Sequence, residues 1–386
     1  MGLLTALPDI TEEAQLIAWR RELHTWPELS GEEFATTSRL REWLKSAGIR
    51  LLDYPLATGL VAEIGSGETL VALRADIDAL PINEASGVSF HSRQPGVMHA
   101  CGHDLHSAVM LGAALKLKAR ESELNGRVRL LFQPAEEIAR GAREFIAAGV
   151  LDQVQAIFGM HNEPNLPTGT FATRGGAFYA NADKFRVKVT GKGAHAGHPE
   201  QGVDTILVAS QIIQGLQGLV SRNFNTLESL VLSITRIDGG KTWNVLPGSV
   251  EFGGTARTHD SGVRAELEQR VRQLVESFAE ANGAHASLIW QAGPPVLVND
   301  ERWANFSSEV AQQAGYRVQK ADLHLGGEDF AFYLQSVPGA FVSIGSGSAA
   351  GLHHAAFNPD EASIAPAARY FAELAVQAIQ HLNARC

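Results

Sequence analysis

Apolar residues in the first third of the chain fall into short solid runs separated by longer periodic stretches. Leu60 to Ile64, Thr69 to Leu73, Val128 to Phe132 and Ala156 to Met160 are largely apolar runs bounded by glycine or polar residues, and they predict buried strands. Thr37, Leu40 and Leu44 recur at helical spacing behind Ser30-Gly31-Glu32-Glu33, which has the spacing of a capping box. Gly48 is placed to end that helix. An alanine- and leucine-rich stretch after Asp104 predicts a helix to Arg120. Near residue 182 the texture changes. Phe185 to Val189 alternates as a half-buried strand, Val203 to Leu219 is helical, Leu230 to Ile237 and Val250 to Arg257 are strands, Arg264 to Asn282 is a helix and His285 to Trp290 a strand. That order, β-α-β-β-α-β, is a ferredoxin-like α+β unit. The α/β texture resumes near Pro294, with a strand at Ala340 to Ile344 and a last helix at Ala365 to Leu382. The pattern therefore predicts an α/β domain made of residues 1–181 and 293–386, interrupted by an inserted domain of residues 182–292.

At 386 residues the chain is longer than one core usually supports, which agrees with two domains. A formal charge of −10 with no basic run argues against nucleic acid and anionic membranes as partners. No apolar stretch reaches the length of a membrane span, and Met1 to Asp9 lacks the basic and long apolar segments of a secretion signal, so a cytoplasmic location is expected. Only Cys101 and Cys386 are cysteines, and Cys386 at the terminus is read as incidental. Cys101 is then a free thiol in need of a role.

Glu136 and Glu137 directly follow the predicted strand Val128 to Phe132, so both sit at a strand's carboxyl end, where open α/β sheets keep their ligands. Before them comes the cluster His99-Ala100-Cys101-Gly102-His103-Asp104-Leu105-His106, and after them His161. A divalent ion of the zinc or manganese type takes imidazole, thiolate and carboxylate donors from separate loops, and hydrolysis needs one more carboxylate to accept a proton from water. The candidates in order are Asp76, Cys101, His103, Glu137, His161 and either His353 or His354. A nucleophilic Cys101 activated by His103 or His106 would leave Glu136, Glu137 and His161 without work. Gly239-Gly240-Lys241-Thr242 imitates the end of a P-loop, but Thr235 stands where its first glycine is required. A binding module would have no use for Glu136.

Five spaced motifs carry a resemblance: Arg74-Ala75-Asp76-Ile77-Asp78-Ala79-Leu80-Pro81, Met98 to Asp104, Gln133-Pro134-Ala135-Glu136-Glu137, Gly240 to Pro247 and Gly327-Glu328-Asp329-Phe330. With them the chain resembles, from Arg20 to His354, the dinuclear metallo-amidohydrolase family of hippurate hydrolase, bacterial N-acyl-amino-acid deacylases and plant hydrolases of auxin–amino acid conjugates. That family lies within the aminoacylase and glutamate carboxypeptidase superfamily. The resemblance implies a zinc-peptidase-like catalytic domain carrying an inserted ferredoxin-like domain that acts as lid and dimerisation surface, and hence a homodimer. It implies two divalent ions per subunit, zinc or manganese with cobalt and nickel as further options. Cys101 matches the thiolate that bridges them, His103 and His161 the imidazole ligands, Glu137 the carboxylate ligand and His353 the last ligand, with His354 its neighbour. Glu136 matches the general base, and Asp76 the carboxylate behind a ligand. In the insertion, His195 resembles a histidine brought over the site, often from a second subunit. Asn244 matches a second polar group, and Arg257 suits the α-carboxylate of an amino acid. The implied reaction is hydrolysis of an N-acyl amino acid to a carboxylate and a free amino acid, with dipeptidase or carboxypeptidase action on the same site as the alternative. Two departures from the family pattern are His161-Asn162-Glu163-Pro164, which adds an acid beside the site, and Gly175 to Tyr179, which lacks the usual proline.

Overall fold

The computed structural model describes residues 12–384, so Met1 to Asp9 and Cys386 lie outside the described residues. The described chain divides into two compact units. One runs to Gly176 and takes in Asn299–Asp322 and the chain from Phe332 onward; the other comprises Ala177–Val298 and Leu323–Ala331. Among the described residues, no helix is long and apolar enough to cross a membrane.

The first unit is built on an eight-stranded mixed sheet in the order Arg50–Leu52, Leu60–Gly65, Arg127–Gln133, Leu70–Asp76, Ala156–Glu163, Gly339–Gly345, Thr170–Thr173, Arg317–Lys320. The four central strands, from Arg127–Gln133 to Gly339–Gly345 in that order, are parallel. Leu60–Gly65 and Thr170–Thr173 run antiparallel to their central neighbours. Every residue of Leu70–Asp76 and of Gly339–Gly345 is buried, which is why these segments read as solid runs rather than alternating ones. The helices His103–Ala119 and Ile364–Asn383 pack on each other and on Leu70–Asp76, and bring Leu105, Val109, Leu374 and Ile379 into the core. Each such side chain contributes about 1.5 to 3 kcal/mol by leaving water. Their close approach depends on Gly112, where a Cβ would stand 2.6 Å from the Ala368 Cβ and 2.7 Å from Leu16 Cδ1. Because the parallel strands end on one side, Asp76, Gln133 and Glu163 share one edge of the sheet.

The capping box expected at Ser30 does not form. In the helix Phe34–Ser46 the N–H groups of Ala35 and Thr36 donate instead to the Glu28 carboxylate at 3.1 and 2.7 Å, and the Ser30 hydroxyl donates to Asp78 at 2.7 Å. Glu33 is withdrawn from capping because its buried carboxylate accepts from the Thr58 hydroxyl at 2.8 Å and from the Ala135 N–H at 2.9 Å. Gly48 ends the helix as the sequence predicts, with φ +68° and its N–H on the Lys45 carbonyl at 3.0 Å.

The second unit has a four-stranded antiparallel sheet in the order Leu230–Gly239, Ser249–Thr258, Asp183–Thr190, His285–Gln291. This is the ferredoxin-like strand order. Along Asp183–Thr190 buried and exposed residues alternate, and the buried face meets the helices Thr205–Asn223 and Ser261–Ala281 through Val187, Ile212, Val271 and Phe252. Asp204 and Asp260 cap those helices by accepting from Leu207 and Val263 N–H at 3.0 and 2.8 Å. The ribbon of Ala194–His195 and Val245–Leu246 is an addition to the β-α-β-β-α-β order.

Candidate metal centre

The chemistry expected from the sequence gathers at the carboxyl edge of the parallel strands in the first unit. His161 lies within Ala156–Glu163, and His103 opens the helix His103–Ala119 behind Gly102, which has φ +97°. Glu136 and Glu137 follow Ala135, a non-glycine residue turned to φ +54° and held there by the N–H bond to Glu33. His353, also at positive φ, is fixed by its N–H on the Ala100 carbonyl at 2.8 Å.

These turns bring the side chains within reach of one another. Cys101 Sγ is 3.3 Å from His161 Nε2, and Glu137 Oε1 is 3.9 Å from His103 Nε2 and 3.5 Å from His353 Nε2. Cys101 forms one triplet with His103 and His161 and another with Glu137 and His353, while Glu136 joins His103 and Glu137; in each, the candidate donor atoms lie within 4.8 Å of one another. The ring tautomers point the same way. His161 Nδ1 donates to the Asn162 carbonyl at 2.7 Å and His103 Nδ1 to Asp78 Oδ1 at 3.1 Å, which turns both Nε2 atoms toward the cluster. His106 is different. Its Nδ1 donates to Asp76 at 2.6 Å and its Nε2 accepts from the Asn162 N–H at 2.9 Å, so neither nitrogen is left for an ion. Of the two neighbouring histidines it is His353 that joins Cys101 and Glu137, whereas His354 Nδ1 accepts from the Ala356 N–H at 3.0 Å.

The place behind a ligand that the sequence reading assigns to Asp76 is taken by Asp78. Asp76 closes the strand Leu70–Asp76 and faces Arg74, two residues back on the same face, whose guanidinium donates to it at 2.6 Å; its other oxygen takes the His106 proton. Its distance to His103 Nε2 is 3.6 Å, too long for a hydrogen bond. Asp78 lies past the strand end and also receives the Glu137 N–H at 3.1 Å, so one carboxylate orients His103 and the backbone of Glu137 together. The repeat of acids at positions 76 and 78 was the available signal; the end of the strand separates their tasks.

Burial lowers the pKa of His103, but Asp76, Asp78 and Glu137 outweigh it and push the imidazole up to about 10. Burial, followed by Glu137, Glu136 and Asp76, drives the Cys101 thiol well above its ordinary value. Burial also holds His161 well below its usual range, with His106 adding to the effect. The cluster thus concentrates negative charge around its thiol and imidazole donors. Among the described residues His103 Nε2 and Glu137 Oε1 are buried with no hydrogen-bond partner, an arrangement costly for polar atoms unless something ligates them. Thiolate, imidazole and carboxylate donors around such a field fit two divalent ions of the later transition series.

The remaining predicted residues lie in the second unit. His195 pairs with Val245 in the short ribbon, beside Asn244, whose carbonyl accepts from the Ala196 N–H at 3.0 Å. Arg257, on the strand Ser249–Thr258, donates to the Leu325 carbonyl at 2.7 Å.

A model of peptidase family M20/M25/M40 matches residues 72–377. The chain belongs to that family. Membership makes it a metal-dependent amidohydrolase, and the donor set above accords with a dinuclear centre. Over 380 residues it is 46% identical to an N-acetylcysteine deacetylase of Bacillus subtilis, a match that covers 98% of this chain and 100% of the relative. It is 41% identical to an IAA-amino acid hydrolase of Arabidopsis thaliana, with 86% of this chain and 77% of the relative covered. A solved dinuclear metal-binding peptidase of the M20 family from Bacillus subtilis matches with a TM-score of 0.87 at 43% identity, over 96% of this chain and 99% of that one.

Proposed function

We propose that this M20 enzyme hydrolyses N-acyl amino acids, with Glu136 as general base and Cys101, His103, Glu137, His161 and His353 holding two divalent ions. The observation that carries this reading is the Cys101-centred cluster with two adjacent glutamates at one sheet edge, in a chain similar to deacetylases and conjugate hydrolases. When bound, the two ions, zinc or manganese or else cobalt or nickel, polarise the scissile carbonyl and lower the pKa of water from 15.7 toward about 7. Glu136 takes the proton of the attacking water as the new C–O bond forms and the carbonyl pair moves onto its oxygen; it then passes that proton to the nitrogen, and the C–N bond breaks as the carbonyl re-forms. Asp78 keeps the His103 ring in one tautomer, and Asp76 with Arg74 and His106 forms the polar floor beneath it. Arg257 is the partner for the substrate's α-carboxylate, and His195 and Asn244 are further polar contacts.

The reading extends to a homodimer in the cytoplasm. The strand Leu230–Gly239 is an edge of its sheet, and Ile206, Leu207, Ile237 and Trp243 in the same unit are exposed large apolar residues, a surface suited to a second copy.

A panel of N-acetyl and N-benzoyl amino acids, tested with metal-loaded protein, decides the activity. Release of free amino acid is expected, and no release from any member overturns the proposal. In the same panel Arg257→Ala should lower kcat/KM by roughly 10- to 200-fold for free acids, as expected for one charge-assisted contact, and far less for their methyl esters. Equal losses for acid and ester take the carboxylate role away from Arg257.

A further inference from the structure

Asn162 follows His161 one residue before the end of the strand Ala156–Glu163 and is completely buried. Its Nδ2 donates to the Cys101 carbonyl at 2.6 Å and lies 3.0 Å from His106 Nε2, and its Oδ1 accepts from the Ser346 hydroxyl at 3.1 Å. Its backbone N–H donates to His106 Nε2, and its carbonyl accepts from His161 Nδ1. The amide orientation follows from these partners, since the Cys101 carbonyl can only accept. From the other side, Gly102 closes against the same amide: a Cβ there would come within 2.3 Å of Asn162 Nδ2.

We propose that Asn162 is a positioning residue that sets the distance between the Cys101 thiol and the His161 imidazole, a role that rests on the ligand reading above. The two groups come from segments 60 positions apart in sequence, yet Sγ and Nε2 stand 3.3 Å apart. Asn162 is covalently joined to His161 and hydrogen-bonded to the carbonyl of Cys101, so it ties the two segments together. Ligands held by such outer contacts keep a metal geometry that loose ones lose, and removing an outer contact typically costs 10- to 100-fold in metal affinity. Asn162 also occupies His106 Nε2, which keeps a third imidazole out of the ligand set.

The test uses the full chain in a Cys386→Ser background, so that Cys101 is the single thiol. Asn162→Ala and Ser346→Ala are compared with the parent by two readouts. The first is the rate at which metal-free Cys101 reacts with an aromatic disulfide reagent. The second is cobalt(II) binding, measured by competition with a chromophoric chelator and by the thiolate-to-cobalt absorption band. Asn162→Ala should react faster, bind cobalt about 10- to 100-fold more weakly and shift the band. Ser346→Ala keeps the amide but loosens it, and should change the same readouts in the same direction by less. A merely structural residue would lower the thermal midpoint and leave thiol rate, cobalt affinity and band at parent values in the folded protein, which overturns the proposal. If Asn162→Ala does not fold, Ser346→Ala decides: parent values overturn the proposal, and a shifted thiol rate and band support it. The thiol rate is read without metal or substrate. Failure of the hydrolase reading is seen separately, as a parent protein that binds no cobalt and releases no amino acid.

Discussion

Glu136 and Glu137 leave the same turn with different surroundings. Glu137 Oε1 is buried between His103 and His353, at 3.9 and 3.5 Å from their Nε2 atoms, whereas Glu136 joins the triplet with His103 and Glu137. Glu136→Gln should therefore retain its metal and lose roughly 100- to 10,000-fold in turnover, as for removal of a general acid–base, while Glu137→Ala should lose metal. Metal analysis alongside kinetics checks this, and an equal fall of metal content in both variants would reverse the assignment. At this scale the sequence was most informative where residue type alone limits the chemistry. Cys101, His103, His161 and the glutamate pair could be picked out because thiolate, imidazole and carboxylate together have few other uses. The place behind His103 went to Asp76 in the sequence and belongs to Asp78 in the structure, because which carboxylate meets His103 depends on where the strand stops.

The helix Glu12–Thr25 was not read from the sequence, and its composition explains why: only Leu16, Arg20, Leu23 and His24 are buried, so polar contacts anchor much of its inner face. Arg20 meets Asp104 at 2.7 Å, and His24 bridges Asp104 at 2.9 Å and Glu84 at 3.1 Å. Burial opposes the Glu84 charge, but bonds from His24, Ser86 and the Ser92 N–H overcome it and lower the carboxyl to about 2. A carboxyl with a depressed folded-state pKa adds stability that is complete above its ordinary value of 4.5 and is lost as pH falls toward 2. Glu84→Gln should therefore cost about 1 to 2 kcal/mol at pH 7, a figure reduced for solvent screening, and the gap to the parent should close between pH 4.5 and 2. Urea midpoints across that range measure it; a constant gap would contradict the linkage. The buried strands were legible because their apolar runs are bounded by polar residues and glycine. The cap of Phe34–Ser46 was not, because the carboxylate that would complete a capping box, Glu33, is spent on Thr58 and Ala135 instead.

Across the whole molecule, the order of strands was the least legible feature. Gly339–Gly345 pairs in parallel with Ala156–Glu163 across a long intervening sequence, and nothing local in either segment names its partner. The ferredoxin-like order of the second unit was easier, since six elements in chain order carry it and Asp183–Thr190 alternates regularly. The second unit also takes in Leu323–Ala331, which the sequence pattern does not separate from its surroundings. The proposed hydrolysis by this chain requires two ions at Cys101, His103, Glu137, His161 and His353, acting with Glu136 on an amide. The most direct measurement is elemental analysis of the protein in parallel with release of amino acid from an N-acyl amino acid, before chelation, after it and after metal is returned. Two transition ions per chain should be found, and activity should fall and recover with them. Undiminished turnover after chelation, in protein holding no transition metal, would contradict the account.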